Sequence, residues 1–335
     1  MPERVGYINV DGKIVIKPQF RNAEPFSEGL AAVCTTDNVW GYIDTAGKIV
    51  IKPQFAEALA FSEGRAAVRW SQDGKYGYIN RKGQIIVKPL FERASWFSEG
   101  LAAVEIGDKT GYIGRNGRMA IKPNREFGGD FHCGLACCGH RGRYYYINHQ
   151  GRVVLRLRVR DAYDFAEGLA WVLPSAATAY GCVNTKGKMV TAAVFDDPLD
   201  FKEGRAVVRL RRKYGFIDRK GRMVIKPQFD AQSVFSEGLA DVWIGESPNQ
   251  KMGYIDRSGR WVLKPVYELA QPFSGGRALV GTKDDVYCFI DRAGKIIIRL
   301  KYGPWNQDDL SKWYFSDGLA MYWSTAYRLE EEDDY

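Results

Sequence analysis

One motif recurs nine times along the chain at intervals of 34 to 38 residues, and this period constrains the fold more than any other feature. A fixed period of this length is typical of repeat architectures, in which small units of similar structure stack on their neighbours. Each copy opens with an aromatic-Gly-Tyr-Ile type element and carries a Phe-Ser-Glu-Gly type element further on. Glycine ends the second element in every copy, at Gly29, Gly64, Gly100, Gly134, Gly168, Gly204, Gly238, Gly276 and Gly318.

The opening of each copy predicts a β-hairpin. In the second copy, residues 40–43 (WGYI) alternate as a strand does, and residues 48–51 (KIVI) are β-branched and apolar. Asp44 and Gly47 hold the first and fourth positions between them, which predicts a type I turn followed by a left-handed glycine. Pro53 is expected to end the second strand, because proline cannot donate a ladder hydrogen bond.

A third strand follows the Phe-Ser-Glu-Gly element. Its second residue is alanine in all nine copies, which indicates a crowded face where a neighbouring unit approaches closely. The phenylalanine of the second element also recurs nine times, and we interpret it as the plug between successive units. These plugs are Phe26, Phe61, Phe97, Phe131, Phe165, Phe201, Phe235, Phe273 and Phe315.

The predicted fold is therefore all-β, built from nine three-stranded antiparallel meanders that are each too small to bury an apolar face alone. We predict one array over residues 1–323, with copies that start near 4, 39, 75, 109, 143, 179, 213, 251 and 286. An open superhelical array is favoured, since nine units exceed the usual number of propeller blades. A closed propeller-like toroid, made by pairing the C-terminal strand with the N-terminal hairpin, is the alternative.

Composition limits the class of protein. Hydrophobic residues make up 45% and aromatic residues 13% of the chain, which is ample for a packed core. No apolar run is long enough to span a membrane, and the six cysteines form no repeated disulfide framework. The net charge is +8, although residues 324–335 form an acidic tail that we expect to be disordered. We expect a soluble, reduced, cytoplasmic protein whose basic body attracts an anionic partner.

The repeated elements resemble a known family. Trp-Gly-Tyr-Ile-Asp, Gly-Lys-Ile-Val-Ile-Lys-Pro-Gln-Phe and Phe-Ser-Glu-Gly-Leu-Ala-Ala-Val look like the WG repeat family of bacterial proteins, and the resemblance covers residues 4–323. It is weakest in copies 4 to 6 and in copy 9, which carries an insertion around residues 302–308. The resemblance implies an interaction scaffold without an assigned reaction.

Motifs for catalysis or phosphate binding are missing from the sequence. It contains no Gly-x-Ser-x-Gly elbow, no His-Glu-x-x-His helix and no paired Cys-x-x-Cys, so we predict neither enzymatic activity nor a cofactor. All three histidines lie close to three cysteines, yet their alternation over both faces of a strand makes a tetrahedral metal site awkward. The resulting weak metal candidate consists of His132, Cys133, Cys137 and His140.

Two charged rows recur at fixed register. Lysine precedes proline in six copies, and glutamate precedes the second glycine in six copies. We favour pairing between the two rows over an anion-binding stripe. The lysines are Lys17, Lys52, Lys88, Lys122, Lys226 and Lys264, and the glutamates are Glu28, Glu63, Glu99, Glu167, Glu203 and Glu237.

Copies 4 to 6 depart furthest from the template, because arginine accumulates there beside tyrosine. In a repeat protein such departures can change specificity without rebuilding the fold, although simple drift would look the same. We hypothesise a binding surface here, and arginine with tyrosine suits acidic proteins as well as phosphates and stacked bases. Its residues are Arg141, Arg143, Tyr144, Arg152, Arg156, Arg158, Arg160, Arg209, Arg211 and Arg212.

The function that these features favour is a non-enzymatic scaffold that binds an acidic protein partner through its basic central copies. An immunity or antitoxin-like inhibitor is one concrete version, by analogy only. Binding of nucleic acid or another polyanion is the alternative, and it would weaken steeply with salt. Neither the identity of the partner nor the oligomeric state follows from these features.

Overall fold

A computed structural model describes residues 4–140, 143–245, 249–283, 286–300 and 313–324. The acidic tail and the insertion in copy 9 lie outside these residues, apart from Ser324. The described chain is all-β, as the period predicts, and its strands form nine small antiparallel sheets. Among the described residues there is no helix with the length and apolar character needed to cross a bilayer. The chain divides into two compact units, residues 62–234 and the remainder.

The strands are numbered in chain order. Residues 1–61 contain β1 (Val5–Asn9), β2 (Ile14–Phe20), β3 (Asn22–Ala23), β4 (Leu30–Cys34), β5 (Trp40–Asp44), β6 (Ile49–Phe55) and β7 (Glu57–Ala58). Residues 62–234 contain β8 (Arg65–Arg69), β9 (Tyr76–Asn80), β10 (Ile85–Phe91), β11 (Arg93–Ala94), β12 (Leu101–Ile106), β13 (Lys109–Gly114), β14 (Met119–Arg125), β15 (Phe127–Gly128), β16 (Ala136–His140), β17 (Arg143–Ile147), β18 (Val153–Arg156), β19 (Val159–Ala162), β20 (Leu169–Pro174), β21 (Gly181–Asn184), β22 (Arg205–Leu210), β23 (Lys213–Asp218), β24 (Met223–Phe229) and β25 (Ala231–Gln232). The last part contains β26 (Leu239–Ile244), β27 (Lys251–Asp256), β28 (Trp261–Tyr267), β29 (Leu269–Ala270), β30 (Ala278–Gly281), β31 (Tyr287–Ile290), β32 (Ile296–Leu300) and β33 (Leu319–Trp323).

Each sheet takes its strands from two copies of the motif. The third strand of the first copy, β4, pairs with the opening strand of the second copy, β5, which then pairs with β6. A two-residue strand, β3, is added on the far side of β4. The predicted boundaries of the three-stranded unit are therefore wrong. The hairpin of every copy pairs with the third strand of the copy before it, and not with the third strand of its own copy.

This offset explains how the chain ends. In the described chain no hairpin follows the last third strand, β33, which pairs with the first strand in the order β2-β1-β33. Five residue pairs join them, including Tyr7 with Met321. The favoured open superhelical array is therefore wrong. The alternative, in which the C-terminal strand pairs with the N-terminal hairpin, is found. The hairpin of β1 and β2 and the strand β33 together complete one sheet.

The core lies between adjacent sheets. Phe26 packs edge-on against Tyr7 with 4.8 Å between the ring centroids, and the hydroxyl of Tyr7 donates to the carbonyl oxygen of Glu24 at 2.8 Å. The equivalent phenylalanines and the alanines of the third strands are buried throughout. The interpretation of phenylalanine as a plug is thus confirmed. Its ring fills the gap between sheets, while the tyrosine satisfies its own polar end locally.

The glycine of the opening element is explained by a bulge in the next strand. Trp40 pairs with Phe55 and Tyr42 with Ile51, so residues 52–54 arch over Gly41. A Cβ atom at Gly41 would lie 2.6 Å from the carbonyl oxygen of Ile51. Proline therefore does not end the second strand as predicted. It sits within a bulge, where the lost donor is tolerated.

The Phe-Ser-Glu-Gly element forms a two-residue hairpin turn that links consecutive copies. Glu63 and the following Gly64 both adopt positive φ, as a type I′ turn requires. The carboxylate of Glu63 accepts the backbone N–H of Gly100, the turn glycine of the next copy, at 3.0 Å. Likewise, the hydroxyl of Ser62 donates to the carbonyl oxygen of Phe97 at 2.6 Å.

The same pair of contacts recurs at the closure, where Asp317 accepts from Gly29 and Ser316 donates to Phe26. Within the described residues no ion pair joins the lysine row to the glutamate row. The predicted pairing of the two rows is therefore wrong. Glu63, Glu99, Glu167 and Glu237 accept from backbone N–H groups, and the first three also contact Arg115, His149 and Arg219 in turn.

Candidate functional site

The arginines of the hypothesised binding surface lie mostly at one end of three successive sheets in the unit formed by residues 62–234. Arg143 begins β17 just after the β16–β17 connection, Arg160 lies in β19 opposite the end of β20, and Arg211 and Arg212 form the tip of the β22–β23 hairpin. We call this surface the basic hairpin end. It comprises Arg143, Tyr144, Arg156, Arg158, Arg160, Arg209, Arg211 and Arg212.

Two members are held by aromatic rings. The guanidinium of Arg156 lies 6.0 Å from the ring centroid of Tyr145, and that of Arg209 lies 5.8 Å from the ring centroid of Tyr214. Arg209 also approaches the carboxylate of Asp197 at 3.9 Å. These contacts orient both side chains and partly neutralise Arg209, so it contributes less free positive charge than its neighbours.

Other members are exposed and have no ionic partner in the described chain. Among the described residues, no ion pair is found for Arg143, Arg158, Arg211 or Arg212, and all four are exposed. Arg211 and Arg212 have φ values of 51° and 69°, so the turn that presents them is a left-handed one that arginine rarely adopts. Positive charge is therefore placed on a tip where the described part of the chain does not neutralise it.

Two residues of the hypothesis do not belong to this surface. Arg152 follows the β17–β18 turn, at the opposite end of a strand that spans about 13 Å. Arg141 lies outside the described residues. The structure thus places eight of the hypothesised residues at one end of the sheets and Arg152 at the opposite end. Partner binding by these residues stays a prediction.

A cavity of about 290 Å³ adjoins the basic hairpin end, and Arg143 and Tyr144 belong to both. The sequence did not predict it. It forms between the β16–β17 hairpin and β19, and the ring of Phe127, 49% exposed, forms part of its wall. The cavity is lined by both acidic and basic side chains, whereas the hairpin tips of the basic hairpin end carry arginine. The lining residues are Glu126, Phe127, Gly139, His140, Arg143, Tyr144, Asp161 and Ala162.

Three aspartates precede the phenylalanine plugs in copies 4 to 6, where other copies have no acidic residue. Desolvation raises the pKa of Asp130, Asp164 and Asp200, that of Asp164 to about 6. The hydroxyl of Ser95 donates to Asp130 at 3.0 Å, and a Cβ atom at Gly129 would lie 2.6 Å from the carboxylate of Asp164. The carboxylates of Asp130 and Asp164 therefore pack on the preceding copy. The recurrence of Asp-Phe in these copies is the sequence signal that was missed.

The weak metal candidate is not assembled. Cys137 is buried and its thiol donates to a backbone carbonyl, whereas Cys133 is exposed and accepts from the backbone N–H of Gly168. His140 contacts Glu126 at 3.2 Å. Across the residues that the structure describes, no group of three or more histidine, cysteine or acidic side chains is arranged to hold a metal ion.

Comparison with solved structures returns several proteins of low sequence identity. The designed protein Ika8 is 12% identical over 79% of this chain and 94% of its own, with a TM-score of 0.45. BamB from Moraxella catarrhalis is 11% identical over 86% of this chain and 99% of its own, also with a TM-score of 0.45. Hsv2 from Kluyveromyces lactis is 12% identical over 71% and 98%, with a TM-score of 0.41.

The curated proteins contain no match to this chain. A model described as the WG containing repeat matches seven segments that together cover more than half of the sequence. They are residues 6–38, 40–76, 76–109, 146–173, 180–214, 214–242 and 252–287. Since these segments carry the strands, turns and plugs described above, the chain belongs to the WG containing repeat family.

Proposed function

We propose that the protein is a cytoplasmic, non-enzymatic scaffold that binds an acidic protein partner through the basic hairpin end. The observation that carries this proposal is the exposure of Arg143, Arg158, Arg211 and Arg212 without an ionic partner in the described chain. Hairpin tips of a repeat fold can change without disturbing the buried glycines, alanines and phenylalanines. Function is therefore expected where the copies differ.

The surface suits a protein partner because it combines guanidinium groups with aromatic rings. Arginine and tyrosine are enriched among residues that dominate interface energies, and planar guanidinium groups bind carboxylates with two hydrogen bonds. Acidic side chains such as Asp196 and Asp197 lie among the arginines. Such interspersed acids penalise a uniformly anionic ligand more than a partner with patterned charge. An inhibitor of the immunity type is one form that such a scaffold could take.

The test is charge reversal with a matched control. The triple variant Arg158→Glu, Arg211→Glu, Arg212→Glu reverses charges that make no ion pair within the described chain. Arg152→Glu makes one such change at the opposite end of the strand. Immobilised wild-type and variant proteins are used to capture partners from native lysate, and each captured protein is then titrated in purified form.

We expect the triple variant to weaken binding at least about tenfold, a change of about 1.4 kcal/mol, and Arg152→Glu to leave it unchanged. Titration at about 50 and 200 mM salt, with a random-sequence DNA duplex in parallel, separates the two classes of partner. If no protein partner is captured and the affinity for DNA falls by a factor of about 10³ or more over this range of salt, polyanion binding is favoured. Equal capture by wild type and triple variant would refute the proposal.

A further inference from the structure

A repeated ion pair joins the opening strand of one sheet to the segment that leads into the next. Lys75 contacts Glu92 at 2.8 Å, and Lys213 contacts Asp230 at 2.5 Å. In the other unit, Lys251 contacts its acid, Glu268, in the same way. The two partners are 17 residues apart in all three cases. The spacing defines a structural position at which these three copies supply both charges.

At the sheet that contains β17 the same position holds two cations. Arg143 begins this strand as Lys213 begins β23, and the residue 17 positions later is Arg160. Arg160 donates to the carbonyl oxygen of Ala177, and no acidic residue of the described chain pairs with Arg143. Within the described chain, the anion that these three copies provide is therefore missing beside Arg143.

A side chain is also missing opposite Tyr144. In two other sheets the residue that pairs with the equivalent tyrosine is an arginine, and its guanidinium lies over the ring, as Arg69 does on Tyr76 at 5.4 Å. Opposite Tyr144 the pairing residue is Gly139. A Cβ atom built there would meet nothing closer than Phe127 at 3.7 Å, so the space above the tyrosine is open. This vacant position is the cavity of about 290 Å³.

An anion of the cavity wall likewise has no cationic partner in the described chain. The carboxylate of Asp161 accepts the hydroxyl of Tyr180 at 2.8 Å and the backbone N–H of Ala162 at 2.9 Å, and it also interacts with the hydroxyl of Tyr144. No cation in the described chain pairs with it. Glu126, the other acid of the lining, contacts His140 at 3.2 Å. Of the charged side chains that line the cavity, Arg143 and Asp161 therefore have no ionic partner within the described chain.

We propose that this cavity binds a small zwitterion of amino-acid size. Its carboxylate pairs with Arg143, its ammonium group lies over Tyr144 and pairs with Asp161, and an apolar side chain packs against the exposed ring of Phe127. A volume of about 290 Å³ is at the lower end of ligand pockets, which fits a ligand of this size. A singly charged ligand would satisfy one wall and leave the opposite charge desolvated. The inference does not depend on the proposed scaffold function.

The binding test uses isothermal titration of the purified full chain with each of the standard amino acids. We expect saturable binding of an apolar amino acid such as L-leucine. N-acetyl-L-leucine lacks the ammonium group and isoamylamine lacks the carboxylate, so each should bind at least about tenfold more weakly. The proposal fails if no amino acid saturates below about 10 mM, or if either singly charged analogue binds as well as leucine.

Variants locate the site. Gly139→Arg restores the arrangement of Arg69 on Tyr76 within the chain and should abolish binding, whereas Arg152→Gln at the opposite end of the strand should leave it unchanged. Should Gly139→Arg fail to fold, Arg143→Gln and Asp161→Asn decide, and each should weaken binding at least about tenfold. Wild-type affinity in these variants would overturn the assignment.

Discussion

Replacing Asp164 with asparagine should stabilise the protein at neutral pH. The carboxylate packs on the backbone of Gly129 and accepts the backbone N–H of Cys137 at 3.3 Å. Desolvation by burial raises its pKa from 3.8 to about 6, and the carboxylates of Asp130 and Asp200 act in the same direction, while His132 acts against it. Asparagine keeps an acceptor for Cys137 and removes the charge that burial penalises.

The magnitude follows from linkage. A carboxylate whose pKa is higher in the folded protein than in the unfolded chain destabilises the fold wherever it must ionise. For Asp164 this penalty is zero below pH 3.8, grows between pH 3.8 and about 6, and is complete above that. A rise in pKa from 3.8 to about 6 corresponds to about 3 kcal/mol, which is the upper bound for the pH-dependent gain in the variant.

The assay is urea unfolding of wild type and Asp164→Asn at several pH values between about 2 and 7.5, analysed as the difference in unfolding free energy. Asp256→Asn is the control of opposite sign, because the hydroxyl of Ser258 and nearby donors lower the pKa of Asp256 to about 2. That variant should lose stability above pH 3.8, and the loss should disappear as pH falls through about 2. A stability difference for Asp164→Asn that does not change with pH would refute the reasoning.

Two further predictions concern the backbone and the closure. Gly41→Ala should unfold the protein or lower its unfolding free energy by more than about 3 kcal/mol, since its Cβ atom would lie 2.6 Å from backbone. A Cβ atom at Gly64 would lie in open space, so Gly64→Ala should lower the unfolding free energy by only about 1 kcal/mol, through its positive φ. Equal falls in melting temperature for the two variants would contradict this explanation. Met321→Asp places a charge in the sheet that joins the chain ends and should lower the unfolding free energy by about 3 kcal/mol or more. A denaturant midpoint of Met321→Asp within error of the wild-type midpoint would show that β33 contributes little to stability.

The local structure could be predicted well because it depends on neighbouring residues. The Asp44 carboxylate accepts the backbone N–H groups of Ala46 and Lys48 and Gly47 has a φ of 81°, as the turn pattern predicts. Burial of the plugs follows equally from their chemistry. Such features are properties of short segments and need no knowledge of which strands pair.

Strand pairing between copies was harder, since every third strand is chemically compatible with two hairpins. A usable signal was the short connection from Cys34 to Trp40, which is of hairpin length and favours pairing across copies. The sequence also carries a signal for the bulge in the second strand of the hairpin. Tyr145 and Cys288 replace the opening glycine in two copies that also lack the Lys-Pro pair, and both pair without the Lys-Pro arch.

The site was only partly predictable. Arginine enrichment in copies 4 to 6 is visible in the sequence, but which end of a strand each arginine occupies depends on the register, and this separated Arg152 from Arg143. The cavity could not be foreseen because it arises from a side chain that Gly139 lacks opposite Tyr144. Such a vacancy has meaning only once the pairing partner is known.

The offset between motif and sheet also determines where the polypeptide can be cut. The first and last described strands, β1 and β33, pair within one sheet without a described hairpin connection between them. A circular permutant that links β33 to β1 and opens another connection from a third strand to a hairpin, such as residues 71–75, would again leave one third strand and one hairpin to complete a sheet. The fold should accept such a permutant, because the sheet completed last is set by the cut and not by any special pair of strands.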